Sequence, residues 1–477
     1  MSSNRKPRKH KNTEYMIITY LFVALFLALM GYVVYFQAVK SEDVINSSYN
    51  SRQELLAEKV VRGSILSADG NVLAETIVDS KGNEVRSYPY KNIFAHAVGY
   101  NTLGKSGIES QYSFSMLQCD NFLPKRLFRE LIGEKNQGNT LITTYNADLQ
   151  ETAYNALGNY KGAVVALEPD TGKILVMVSK PDYDPNEITY LWDDLTSGDS
   201  DDSRLLNRAT QGLYPPGSTF KIVTVTAYLD QHKNNYTSYE YDCISKISGD
   251  DITINCYHNK VHGNIDLLTS FAKSCNTSFA NIGLALDNED FASTCKRLLF
   301  NQSLPLSKFV SKSSTVVLDK DTTDSDVMQT AIGQGKTLMS PMHMAMITSA
   351  IANDGKLMIP YQVDKIMTSD GGTIKTYKSK SYGQLFSAEQ AAILQKFMSA
   401  VVSEGTGTKL QSSHYDAYGK TGSAEYNNDK GKSHSWFTGY AEKDGKKLVV
   451  TVIAEEAGSG SEYAVPIAKK LWDAYFD

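Results

Sequence analysis

Tyr15 to Phe36 (YMIITYLFVALFLALMGYVVYF) carries no charge over 22 residues. At 1.5 Å per residue, such a run spans about 30 Å of hydrocarbon as a helix. Tyr15, Tyr32, Tyr35 and Phe36 place aromatic rings near its ends, where membrane–water interfaces favour them. The alternative is a cleaved signal peptide, whose apolar stretch is typically about 7–15 residues and ends at a small-x-small site. This run is longer and no clear site follows it, so the pattern predicts an uncleaved membrane helix.

Past the helix, apolar runs are short and interrupted. Val60 to Leu66 is a β-type run ended by the turn pair Asp69-Gly70, and Asn71 to Ala74 continues it. Gly107-Ile108-Glu109 opens a partly helical segment, and Arg62 and Glu109 are candidates for a structural ion pair. Asp148 to Leu157 predicts a helix, with Asn146 as cap and Gly158 as stop. GAVVALEP (162–169) and GKILVMVS (172–179) are near-continuous apolar runs around Asp170-Thr171-Gly172, the pattern of a hairpin in a buried sheet. Residues 182–206 are acidic and serine-rich and read as a surface loop.

Pro215-Pro216-Gly217 then forbids helix, and STFKIVTVTAYLD resumes with helix-compatible spacing. Ser218 therefore falls at a predicted helix N-terminus, where free N–H groups and the positive dipole end point outward. Gly333-Gln334-Gly335 predicts a loop, and Ser340-Pro341 a helix start. Residues 370–384 read as an exposed hairpin or loop, and Ser387 to Ser403 as a helix stopped at Gly405. Ser433 to Tyr440 and Leu448 to Glu455 read as strands around Asp444-Gly445, and Tyr463 to Phe476 as a final helix. Strands early and late with helices between predict an α/β sandwich closed by both chain ends.

At 477 residues, 42% apolar and 21% charged, the chain is globular and long enough for two or three domains. The net charge of -5 divides unevenly: residues 1–14 carry +4 and the remainder -9. A basic tail on a mildly acidic body argues against nucleic acid as a partner. The same tail predicts a cytoplasmic N-terminus by the positive-inside rule, with about 440 residues outside the cytoplasm.

Three polar signatures carry the chemistry: Ser218-Thr219-Phe220-Lys221, Ser274-Cys275-Asn276 and Lys420-Thr421-Gly422. Their starts lie 56 and 146 residues apart. On a helix, positions i and i+3 share a face, so Lys221 can approach the Ser218 hydroxyl. A serine is a weak nucleophile until a base takes its proton, and lysine serves only when its neutral form is favoured. Lys420 is the expected second cation that would neutralise Lys221. S-x-x-K alone is weak, since Ser3 to Lys6 also matches, and S-x-N recurs at residues 2–4 and 48–50. K-T-G occurs once, and the ordered set is what specifies a serine acyl-transfer site.

With these signatures, Asn207-Arg208-Ala209, Tyr214 through Lys221, Ile332 through Gly335, Gly419 through Glu425 and Ser435 through Tyr440 resemble the class B penicillin-binding proteins. Arg62-Gly63 and Gly107-Ile108-Glu109 are similar to that family's pedestal. The likeness is to its shorter, elongation-type members. It implies a transpeptidase fold, an antiparallel sheet flanked by helices, on a small N-terminal pedestal with one transmembrane helix. The expected layout is 1–14 tail, 15–36 anchor, 37–146 pedestal and 147–477 transpeptidase. The resemblance further implies D-Ala-D-Ala transpeptidation of peptidoglycan stem peptides through an acyl-enzyme on Ser218, with β-lactams as covalent inhibitors. Lys221 would be the base, Ser274 the proton relay, Asn276 a ligand of the substrate backbone, and Lys420, Thr421, Gly422 and Ser423 the carboxylate clamp. Ser218 and Ser423 N–H groups would form the oxyanion hole. Only about 110 residues separate anchor from acyltransferase, too few for a glycan polymerase, so a membrane-embedded SEDS-family polymerase is the implied partner. The middle motif is Ser-Cys-Asn where some relatives have Ser-Asp-Asn. Two alternatives stay open: hydrolysis by water, as in a D,D-carboxypeptidase or β-lactamase, and a penicillin-binding sensor or scaffold without turnover.

Five cysteines leave at least one unpaired. Cys243 and Cys256 are the best disulfide candidates, while Cys275 reads as a small packed residue. Cys243, Cys256, His258 and His262 also resemble zinc ligands, but their spacing fits no defined signature, so neither metal nor cofactor is expected.

Overall fold

A computed structural model describes residues 13–45, 52–81, 83–197, 203–249, 251–425 and 433–477. The basic residues of the predicted tail, within 1–12, lie outside them. Thr13–Tyr35 forms one helix with no buried residue, as suits a single-pass membrane anchor.

The centre of the molecule is a five-stranded antiparallel sheet. Its order is Asp416–Glu425, Ser433–Lys443, Lys446–Ala454, Gly162–Leu167 and Ile174–Lys180. Early and late strands meet where Val449 pairs with Leu167 and Ala454 with Gly162. Every residue of Gly162–Leu167 is buried, because helices cover both faces. Ala147–Leu157 and the C-terminal helix Ala464–Phe476 pack on one face, around Leu149, Val176, Val450, Leu471 and Trp472. Pro341–Ala352, buried at every position, lies on the other. The core continues beneath it to Lys221–Gln231, Asn276–Ala285 and Ala388–Ser403. This is the mixed α/β architecture, with residues 147–180 and the C-terminal residues 416–476 closing on the same sheet.

Local chemistry sets the boundaries. Asn146 caps its helix by accepting from Leu149 N, and Gly158 ends it at φ +61°. Ser340 caps Pro341–Ala352, and Ser387 with Gln390 forms a capping box on Ala388–Ser403. Asp444 and Gly445 both adopt positive φ, the two-residue turn that matches the twist of the strands it joins.

Three elements depart from the sequence expectation. Within 182–206, Ile188–Leu195 is a helix, because Ile188 and Leu195 bury against Tyr100 and Tyr183 despite the acidic surroundings; residues 198–202 of that stretch lie outside the described ones. Thr373–Thr376 and Ser381–Gln384 do not pair with each other: the first adds to Val363–Met367, the second to Lys356–Met358. Ser218 sits in a 3₁₀ turn, Gly217–Phe220, and the α-helix begins only at Lys221.

A second sheet lies toward the N-terminus. Thr140–Thr143 runs between Ile65–Leu66 and Val363–Met367, so strands from opposite ends of the sequence share it. Beside it Glu109, fully buried, is held by two arginines. Arg62 Nε donates to Oε2 and Arg86 Nε to Oε1, each at 2.7 Å. Arg62 also donates to Ser113 Oγ, and Arg86 to Gly63 O. The expected Arg62–Glu109 pair is thus a triad with Arg86. Removing its carboxylate strands two buried guanidinium groups. Glu109→Ala is therefore expected to cost about 3–5 kcal/mol, seen as a lowered thermal midpoint; an unchanged midpoint would contradict this account of the triad.

Candidate functional site

The nucleophile turn is built by close backbone approach. Trp436, fully buried, donates from Nε1 to Pro215 O at 3.0 Å. Thr219 Oγ1 donates to Pro216 O at 2.7 Å. Gly217 has φ +53°, and a Cβ there would lie 2.7 Å from Ser423 O. A Cβ on Gly422 would lie 3.1 Å from Pro216 O and 3.0 Å from the Thr219 methyl. These two glycines let the turn carrying Ser218 lie directly against the K-T-G strand.

That strand, Asp416–Glu425, is an edge of the sheet, with Lys420 opposite Thr438, Gly422 opposite Trp436 and Ser423 opposite Ser435. The sequence placed K-T-G just ahead of the closing strands; it lies inside one of them. Ser274-Cys275-Asn276 joins Leu267–Ala272 to Asn276–Ala285. Cys275 caps the second helix, its sulfur accepting from Ser278 N at 3.4 Å. Ser274 has φ +55°, a left-handed conformation that costs a non-glycine residue of order 1–2 kcal/mol. Strain of that kind concentrates at functional sites.

The three signatures meet at the Ser274 hydroxyl. Lys420 Nζ donates to Ser274 Oγ at 2.9 Å, and Lys221 Nζ to the same oxygen at 3.2 Å. Lys221 also donates to Ser274 O and to Asn276 Oδ1, both at 2.8 Å. Asn276 Nδ2 in turn donates to Asn255 O at 3.0 Å. Ser218 is half-buried one turn before Lys221. Thr421 shares a 2.6 Å hydrogen bond with the Thr406 hydroxyl. Ser423 Oγ accepts from Gly460 N. All eight predicted site residues therefore belong to one contiguous region.

Both lysines are fully buried, and among the described residues neither has a carboxylate partner. Burial pushes Lys221 down to about 7, opposed by the thiols of Cys275 and Cys256. Burial also carries Lys420 well below its ordinary value, and the charge of Lys221 lowers it further. Desolvation is thus the first cause for both lysines, and repulsion between the two neighbouring amines acts in the same direction. Two adjacent buried amines that share one hydroxyl do not both stay charged at neutral pH.

A cleft of about 1020 Å³ opens beside this network. Asn276 and Asn255 line one wall, and Pro215, Ser423 and Glu425 another. Glu425 is exposed at the rim, and Gln334 brackets its backbone in the amide orientation that satisfies both groups. Thr406 carried no sequence signal, being an isolated threonine after a helix. His258 lines the cleft. Cys243 and Cys256 are free thiols with sulfurs 3.7 Å apart, well beyond the ~2.05 Å of a disulfide.

The contact between Gly217 and Ser423 yields a direct prediction. Gly217→Ala places a Cβ where only backbone fits and displaces Ser218. Covalent labelling of Ser218 by a fluorescent β-lactam is expected to slow by about 10²-fold while the fold persists. Stopped-flow labelling checks this, and an unchanged rate would refute the role assigned to the contact.

Comparison with known proteins agrees with this geometry. Residues 162–473 match the penicillin binding protein transpeptidase domain, and residues 62–141 the penicillin binding protein A dimerisation domain. A peptidoglycan D,D-transpeptidase PbpA of Mycolicibacterium smegmatis is 29% identical, over 96% of this chain and 98% of its own length. The structure of penicillin-binding protein A from M. tuberculosis, as its penicillin G acyl-enzyme complex, superposes with a TM-score of 0.79 at 27% identity, covering 87% of this chain and 100% of that one. A D,D-transpeptidase domain from Eggerthella lenta does so at 0.76 and 27% identity, covering 87% and 98%. With its transpeptidase match spanning more than half the sequence and a dimerisation-domain match before it, the chain belongs to the class B penicillin-binding protein transpeptidases.

Proposed function

We propose that this chain is a peptidoglycan D,D-transpeptidase acting through an acyl-enzyme on Ser218. The observation that carries the reading is the meeting of Lys221, Lys420 and Asn276 around Ser274, with Lys221 one turn after Ser218 in the chain. Ser218 Oγ attacks the carbonyl between two D-alanines, and neutral Lys221 takes its proton. Backbone N–H groups of Ser218 and Ser423 stabilise the tetrahedral oxyanion, a contribution of about 3–4 kcal/mol per donor. The departing D-alanine amine receives its proton through Ser274, which touches both lysines. Asn276, on the cleft wall, takes the peptide backbone of the donor. Thr421, Gly422 and Ser423 form the wall for the terminal carboxylate, and Lys420 supplies positive charge from behind it. The amine of a second stem peptide then attacks the ester, forming the cross-link and freeing Ser218.

A β-lactam enters the same site as a mimic of the donor. The basic tail holds the N-terminus in the cytoplasm, residues 15–36 anchor the chain, 37–146 form the pedestal, and 147–477 carry the chemistry outside. The family likeness supports a SEDS-family polymerase in the same membrane as the working partner.

Full-length protein with a D-Ala-D-Ala donor peptide and an amine acceptor is expected to release D-alanine and form cross-linked product. Ser218→Ala is expected to do neither, a loss of at least about 10⁴-fold. Release without cross-linking would identify a carboxypeptidase, and activity in Ser218→Ala would overturn the reading.

A further inference from the structure

Behind the S-x-N loop, three cysteines and a histidine converge. The Sγ atoms of Cys243, Cys256 and Cys275 and a ring nitrogen of His262 all lie within 4.8 Å of one another. Four separate pieces of chain supply them. Cys243 ends the strand Glu240–Cys243, and its partner across the ladder is Gly263, so His262 falls beside it. Lys246–Ser248 and Thr253–Asn255 form a hairpin that returns Cys256 to the start of the same loop, where its N–H donates to Ser245 O. Asn276 Nδ2, bonded to Asn255 O, brings Cys275 onto the hairpin.

The distances suit one ion. Tetrahedral zinc with bonds of about 2.3 Å to sulfur and about 2.0 Å to nitrogen sets ligand atoms about 3.5–3.8 Å apart. Here Cys243 and Cys256 sulfurs are 3.7 Å apart, Cys256 and Cys275 sulfurs 3.6 Å, and Cys243 Sγ lies 3.3 Å from His262 Nδ1. No sulfur is within bonding reach of another. The three cysteines are buried and His262 half-buried, so the four ligands close the site. Thr277 Oγ1 donates to Cys243 Sγ and Ser278 N to Cys275 Sγ, the outer-shell donors that thiolate ligands use. Soft sulfur with one imidazole and no carboxylate suits zinc and excludes calcium or magnesium.

We propose that Cys243, Cys256, His262 and Cys275 bind one structural zinc ion that positions the S-x-N loop. His258, which the sequence grouped with Cys243 and Cys256, is not a ligand, and Cys275 is. Binding releases the three thiol protons to solvent and leaves His262 neutral. The ion ties the hairpin to the residue lying between Ser274 and Asn276. It thereby holds Ser274 in its left-handed conformation and Asn276 against Asn255, the arrangement in which both meet Lys221. The consequence for acylation rests on the transpeptidase reading; the metal site itself does not.

The test uses full-length protein in detergent. Elemental analysis is expected to find about one zinc per chain, with X-ray absorption giving three sulfurs at about 2.3 Å and one nitrogen at about 2.0 Å. Cys243→Ser and His262→Ala are expected to lose that zinc, and Cys119→Ser to keep it. Chelation of the wild type is expected to slow penicillin labelling by about 10–100-fold, and added zinc to restore it, a readout that depends on no variant folding. Three results would each overturn the proposal: reduced wild type that holds no zinc and acquires no tetrahedral thiolate spectrum with cobalt; a disulfide among these cysteines in the protein as isolated; or full-rate labelling of the zinc-free chain. A chain that binds zinc but is never labelled would overturn the transpeptidase reading and leave the metal site standing.

Discussion

Two buried lysine amines, with no carboxylate partner among the described residues, share one serine hydroxyl, and much of the molecule serves that arrangement. A charged amine in such a place loses its hydration, and two side by side also repel. The stable outcome is that at least one proton is given up. On the proposed mechanism Lys221 then serves as the base at a pH where an exposed lysine is almost wholly charged. The same fact explains why Lys420 sits deep in the sheet rather than at its surface. An amine there biases the proton inventory of the site through the Ser274 hydroxyl that it shares with Lys221.

Holding the amines in register takes the whole sheet. Lys420 is fixed by an edge strand that pairs along its full length with Ser433–Lys443. Lys221 is fixed by the turn that Trp436 and Gly217 press against that strand. Ser274 and Asn276 arrive from a different layer, on a strained loop at a helix start. Strain and burial are both unfavourable locally, and they persist because packing elsewhere over-determines the geometry. The N-terminal sheet adds a buried Arg–Glu–Arg triad far from the chemistry. Its partners are so fully satisfied that its role reads as register rather than reaction.

What the sequence made legible followed strong local signals. The apolar 22-residue run, the Asn146 cap, the helix ending at Ser403, the Asp444-Gly445 turn and the paired apolar strands all formed where their residues put them. The candidate site residues stood out because three short signatures occur in a fixed order, and the structure brings those signatures together. Other features depended on tertiary partners that local patterns do not encode. Ile188–Leu195 is helical because Tyr100 and Tyr183 receive it. Ser381–Gln384 pairs back to Lys356–Met358 while Thr373–Thr376 pairs with the preceding strand Val363–Met367. Arg86 completes the triad with Glu109 from the strand Glu84–Ser87, 23 residues away in sequence. Cys275 looked like packing because its partners are 13, 19 and 32 residues away, and only strand register brings Cys243, Cys256 and His262 to it.

The central claim is that burial makes Lys221 the base for Ser218. The pH dependence of covalent labelling by a fluorescent penicillin, measured as a single-turnover rate on the full-length chain, tests it most directly. A base must be neutral to accept a proton, so the rate is lost as pH falls through the Lys221 value and is fully present above it. The account predicts a rise through one ionisation at about 7 and a plateau beyond, with Lys221→Met almost inactive throughout. A rate independent of pH between about 5.5 and 8.5, or one still climbing toward the ordinary lysine value of about 10.4, would contradict it.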